Sequence, residues 1–112
     1  LRDAVDDSFN MLSVDSDMST SDTCVLMANG LAGFVEEDDF RAALRAGCIR
    51  FAEMLARDGE GATKLLRAVV DGAESRRDAR RVAKSIINSP LVKTMAFGAN
   101  PNVGRILVAI GK

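Results

Sequence analysis

Glu60 stands between two glycines in Asp58-Gly59-Glu60-Gly61-Ala62-Thr63-Lys64, where a helix-period pattern gives way to a strand-like run. Glycine removes the steric bar to left-handed backbone, so Gly59 and Gly61 allow a sharp turn with open space around one carboxylate. An ionised Glu held in that way can pair with an ammonium through a charge-assisted hydrogen bond. Thr63 and Lys64 follow within reach of the same turn. The plainer reading is a C-cap glycine followed by a polar loop. A second polar stretch, Asp15-Ser16-Asp17-Met18-Ser19-Thr20-Ser21-Asp22, holds three carboxylates and four hydroxyls. Its Asp15, Asp17, Ser19 spacing superficially suggests a calcium loop. It lacks the Gly at the sixth position and the bidentate Glu at the twelfth, so no metal is expected there.

Several chemistries are excluded by what the chain lacks. It has no histidine, so a Ser-His-Asp or Cys-His arrangement cannot be built from it. Cys24 and Cys48 have no metal-ligand spacing, and both lie in apolar sequence, which reads as buried free thiols. Fifteen basic and sixteen acidic residues give a net charge of -1, with no basic excess for nucleic acid or an anionic membrane surface. Aromatics are 4%, too few for base-stacking platforms. No apolar run approaches a membrane span, no signal-peptide pattern opens the chain, and no cofactor motif is present. The 112 residues, 47% hydrophobic and 28% charged, suit a single globular domain over residues 1–112. The first residue is Leu, which points to a processed start or a piece of a longer chain.

The elements that must position these residues follow from periodicity. Residues 1–7 read as the tail of a helix and 9–14 as a short strand. Ser21 or Asp22 is a natural N-cap for an apolar helix over Thr23–Ala28, stopped by Asn29-Gly30. Residues 39–57 carry Phe40, Leu44, Phe51 and Leu55 at helical spacing, with arginines largely on the solvated side. Residues 64–71 alternate as a strand, with Leu66, Ala68 and Val70 on one face. Residues 75–88 form a second amphipathic helix with Val82 and Ile86 in its stripe, and Pro90 prevents its simple continuation. Val92–Phe97 suits a strand or a helical turn. Asn100-Pro101 is a turn, and Asn102 caps a last helix over Val103–Ile110. The expected class is α+β, with helices packed on one face of a small mixed sheet and Phe40, Leu44, Phe51, Leu55, Val82 and Ile86 buried.

Three separated motifs carry a family resemblance: SFNMLSVDSDMSTSD, DGEGATK and SPLVKTMAFGANPNVGRI, in that order. Together they resemble the C-terminal part of the ornithine acetyltransferase family, also called bifunctional glutamate N-acetyltransferases. The resemblance implies an N-terminal-nucleophile-like enzyme that cuts its own precursor before a threonine. The new N-terminal Thr takes acetyl from N-acetylornithine as an acyl-enzyme and passes it to glutamate, for arginine biosynthesis. A hydroxyl activated by its own α-amine needs no histidine. It also implies no cofactor, a cytoplasmic location and a heterotetramer with the alpha chain of the same precursor. This chain would be the C-terminal region of the processed beta chain, without the nucleophile. Glu60 is the substrate-binding residue that the resemblance carries over. Asp17, Thr20 and Asp22 are expected to buttress the site, with Lys64, Asn102 and Arg105 as possible supporting residues. The family usually has Asp-Pro-Asn-Trp-Gly-Arg where this chain has Asn100-Pro101-Asn102-Val103-Gly104-Arg105, and Gly where Ser16 stands. Two other readings stay open: a related self-cleaving aminopeptidase that passes the acyl group to water, and a non-catalytic assembly module.

Overall fold

A computed structural model describes all 112 residues. It contains five α-helices, one 3-10 turn and no strand. The expected sheet is therefore absent, and the α+β class is corrected to an all-helical arrangement within this chain. The alternation of residues 64–71 does survive in part: Leu66, Ala68 and Val70 are half-buried, while Arg67 and Val69 are exposed. Alternation selects a face. It does not supply the neighbouring backbone whose ladder of hydrogen bonds makes a strand.

The chain divides into two compact units, residues 1–12 with 17–55 and residues 13–16 with 56–112. The first unit contains α1 (Arg2–Asp6), the 3-10 turn (Phe9–Met11) and most of α2 (Glu37–Arg57). The 3-10 turn replaces the strand expected at 9–14. Two carboxylates one helical turn apart on α1 meet two guanidiniums one turn apart on α2. Asp7 accepts from Arg45 at 2.8 Å, and Asp3 lies 3.5 Å from Arg41. Glu37 also accepts from Arg41 at 2.6 Å and pushes the Arg41 pKa further up. Arg50 lies 3.8 Å from Glu53, so three of the four α2 arginines pair with acids of their own chain.

The buried side of α2 is the one that carries Cys48 and Ala52. The expected stripe is displaced by roughly one residue's rotation, about 100°. Leu44 is half-buried, but Phe40 and Phe51 are 43% and 60% exposed, and Leu55 is exposed as well. A five-residue α1 covers only a narrow sector of a 21-residue helix.

The helix expected at Thr23–Ala28 does not form. Asp22 spends its carboxylate on the upstream N–H of Ser19 at 3.0 Å instead of capping the residues that follow. Val25, Leu26 and Met27 are exposed, and a short helix with nothing to bury is marginal in water. Cys24 is exposed too, contrary to the buried thiol expected; Cys48 is buried.

The second unit is a three-helix packing of α3 (Arg76–Ile87), α4 (Pro90–Phe97) and α5 (Val103–Ile110). Ser75 caps α3, accepting from Asp78 N–H at 3.1 Å. The expected helix over 75–88 is thus present, with Val82 and Ile86 half-buried. Pro90 opens α4 at its first position, where its missing N–H costs nothing, and Ser89 stands at the N-cap. The ambiguous residues 92–97 are therefore helical. Val92 and Ala109 are essentially inaccessible, and Ser85 donates its hydroxyl to the Ala109 carbonyl. A small residue at 109 lets α5 approach α3 closely.

Two non-glycine residues adopt left-handed backbone, Ser16 (φ 76°) and Ala99 (φ 50°). Ala99 closes α4: its N–H reaches the Ala96 carbonyl at 3.2 Å, and the Asn100 N–H reaches the Met95 carbonyl at 3.1 Å. This is a Schellman motif whose left-handed position is normally glycine. Here the glycine, Gly98, stands one residue early with ordinary φ. Ala99→Gly and Ser16→Gly should therefore each raise the unfolding free energy by about 0.5–1 kcal/mol, the left-handed penalty less the added chain entropy. Denaturant melts of each variant check this; a lower midpoint would contradict it.

Burial, and next the nearby Lys93 ammonium, lower the Lys84 pKa from 10.5. The unfolded chain then holds more protons than the folded one between that lowered value and 10.5. Stability from this group rises with pH through that window, and below it the full cost of holding the charge is present. Wild type should gain stability relative to Lys84→Met as pH approaches 10.5. A difference that stays flat in denaturant melts across that range would show no such linkage.

Candidate functional site

Chain direction reverses immediately after α2. The Ala62 N–H donates to the Gly59 carbonyl at 2.8 Å, closing a four-residue turn over 59–62. Gly61 has φ +69°, while Glu60 keeps negative φ. That sign pattern is a type II turn, which demands glycine at the third position. Of the two glycines, Gly61 is thus the one the turn requires. Gly59 serves differently: a Cβ there would sit 3.5 Å from the Ala62 Cβ and from Val14 Cγ1, so it marks a close but tolerable approach.

Glu60 occupies the second position of the turn, where a side chain points away from the closing hydrogen bond. It is exposed, and its carboxylate has no hydrogen bond or ion pair. Lys64 does not neutralise it. The Lys64 ammonium instead lies 2.6 Å from the Phe97 carbonyl, at the C-terminus of α4, and 5.7 Å from the centre of the Phe97 ring.

Arg105 reaches from α5 to α4, donating to the Leu91 carbonyl and the Thr94 hydroxyl, each at 3.1 Å. Asn102 holds the N-cap position of α5 as expected, but its side chain makes no cap bond; the Arg105 N–H reaches its carbonyl at 3.1 Å. Glu60, Lys64, Asn102 and Arg105 all belong to the second unit. Asp17, Thr20 and Asp22 belong to the first, where Ser19–Asp22 folds on itself through the Asp22 carboxylate and the Ser19 and Ser21 hydroxyls, 2.8 Å apart. Sequence reasoning passed over Lys93, which donates to the Ser13 hydroxyl at 3.1 Å and to the Val14 carbonyl. Only its place within an apolar helix signalled it.

Across residues 1–112 the chain matches the model of the ArgJ family. The chain belongs to that family. The arginine biosynthesis bifunctional protein ArgJ of Rhodococcoides fascians is 57% identical over 111 residues, covering 99% of this chain and 28% of that protein. The glutamate N-acetyltransferase of Methanocaldococcus jannaschii is 48% identical over 114 residues, with 99% and 28% covered. The crystal structure of the Bacillus halodurans ArgJ bifunctional protein superposes with a TM-score of 0.92 at 44% identity. That match covers 98% of this chain and 55% of that one. The chain therefore spans under a third of the length of these two curated relatives. No helix is long and apolar enough to cross a membrane.

The turn geometry separates the two glycines experimentally. Gly61→Ala should destabilise by about 1–2 kcal/mol, the cost of left-handed backbone for a residue with a Cβ. Gly59→Ala should change stability by less than half of that. Equal midpoints for the two variants in denaturant melts would refute the assignment.

Proposed function

We propose that this chain is the C-terminal region of the beta chain of an ornithine acetyltransferase, and that Glu60 binds the ammonium of its amino-acid substrate. The observation that carries the role is the exposed carboxylate at the second position of a fixed turn, without a cation of its own. An unpaired carboxylate on rigid backbone can take up an ammonium without first breaking another bond. Membership of the ArgJ family and the names of its relatives support the substrate class.

The reaction proceeds through a nucleophile outside these residues. The N-terminal Thr, made by precursor cleavage, gives its hydroxyl proton to its own α-amine as the oxygen attacks the acetamide carbonyl of N-acetylornithine. The carbon–nitrogen bond breaks, ornithine leaves with the proton, and acetyl remains as an ester on the threonine. The glutamate amine then attacks the ester, and the hydroxyl is restored. No cofactor takes part. The alpha chain and the rest of the beta chain complete the site, in a cytoplasmic heterotetramer.

Glu60→Gln in the complete enzyme removes the charge and keeps the shape. It should lower kcat/KM by roughly tenfold to a hundredfold, matching the 1.5–3 kcal/mol of a hydrogen bond to a charged group. Precursor cleavage should persist, since the cut involves no substrate amine. Steady-state kinetics and a melting curve on the same variant decide between roles. Wild-type efficiency with a lowered Tm would mean that Glu60 merely stabilises its loop.

A further inference from the structure

We infer that α4 braces the Glu60 turn from two sides and that Lys64 and Lys93 are its positioning residues; the inference rests on the substrate role proposed for Glu60. Both lysines are tied to backbone rather than to carboxylates. Lys64 lies two residues past the turn and ties the outgoing chain to the Phe97 carbonyl at 2.6 Å. Carbonyls in the last turn of a helix lack intrahelical partners, and the negative end of the helix dipole lies there, so a cation suits that spot. Lys93 projects from the middle of α4 to the segment at Ser13 and Val14. It donates to the Ser13 hydroxyl at 3.1 Å and to the Val14 carbonyl. Val14 in turn packs against Gly59, the first residue of the turn, with its Cγ1 3.5 Å from the place of a Cβ there.

The helix that carries both contacts is itself held. Ser89 and Pro90 fix its start, Val92 is buried beneath it, and Arg105 grips the Leu91 carbonyl and the Thr94 hydroxyl. Glu60 has no bond that fixes its side chain. Its placement depends on the backbone of the turn, which α4 steadies at entry and exit. Loosening either tie lets the carboxylate wander and weakens substrate capture without touching the reacting atoms.

The test uses the full-length processed enzyme with Lys64→Met, Lys93→Met, Lys64→Arg and Glu60→Gln as reference. Lys64→Met and Lys93→Met should each raise KM about five- to tenfold with kcat within about twofold, the pattern of lost uniform binding. Lys64→Arg should return KM to the wild-type value, because a guanidinium donates to the carbonyl and stacks on the Phe97 ring. Lys64→Met added to Glu60→Gln should raise KM no further than Glu60→Gln does alone. If Glu60→Gln raises KM while both lysine variants keep the wild-type value, the brace is overturned and the substrate role stands. If Glu60→Gln leaves kcat/KM unchanged, the substrate role falls. The brace is then decided by a crystal structure of Lys64→Met: residues 59–62 displaced supports it, and the same residues in place overturns it. Should Lys64→Met fail to fold, Lys93→Met decides by the same KM criterion.

Discussion

A lysine ammonium on a helix-terminal carbonyl governs how the second unit presents the Glu60 carboxylate. The last carbonyls of any helix need donors from elsewhere, and in α4 that at Phe97 takes one from Lys64. The consequence runs back along the chain. Lys64 cannot fold back onto Glu60 while it serves Phe97, so a cation four residues from a carboxylate leaves that carboxylate free. The same contact joins a segment without regular structure to a helix, where a sheet had been expected to do the joining.

The two units are held by different means. In the first, α1 meets α2 through surface ion pairs, of which only Asp7 is well shielded. Exposed pairs contribute little each. In the second, capped helix starts and close approach of small residues do the work. Ser75, Ser89 and Pro90 define where α3 and α4 begin, and Ala109 admits close contact. Hydroxyl caps satisfy N–H groups that burial would otherwise leave unpaired. In the second unit α3 and α5 stand where the sequence placed them while α4 had been left between strand and helical turn, and in the first the placement of side chains on α2 was misjudged.

What the sequence disclosed was local. Caps, prolines and 3.6-residue spacing placed α2, α3 and α5, because those signals act within a few residues of where they are written. The Gly59–Ala62 turn was legible for the same reason. The buried side of α2 was not, because Phe40, Phe51 and Leu55 carry the right spacing yet stay exposed, while Cys48 and Ala52 beside them are buried. Nor was the fate of Thr23–Ala28, where Asp22 had two possible partners and took the upstream one. Glu60 was singled out by its flanking glycines together with the family resemblance, and the turn expected around it is present. Lys93 was missed because its partners, Ser13 and Val14, lie some eighty positions earlier. Asp17, Thr20 and Asp22 were grouped through the family resemblance, and the Asp22 carboxylate bonds within its own loop.

The bare stretch from Met27 to Phe34 matters beyond the fold. Met27, Leu31 and Phe34 are each 87% exposed, and Val25 and Val35 flank them. Apolar surface of that extent, on backbone free of helix, attracts other apolar surface. Preparations of these residues by themselves would bind environment-sensitive dyes and would tend to self-associate as concentration rises. Salts that strengthen hydrophobic contact, such as sulfate, would drive them out of solution sooner. Handling this polypeptide is therefore a colloid problem before it is an enzymological one.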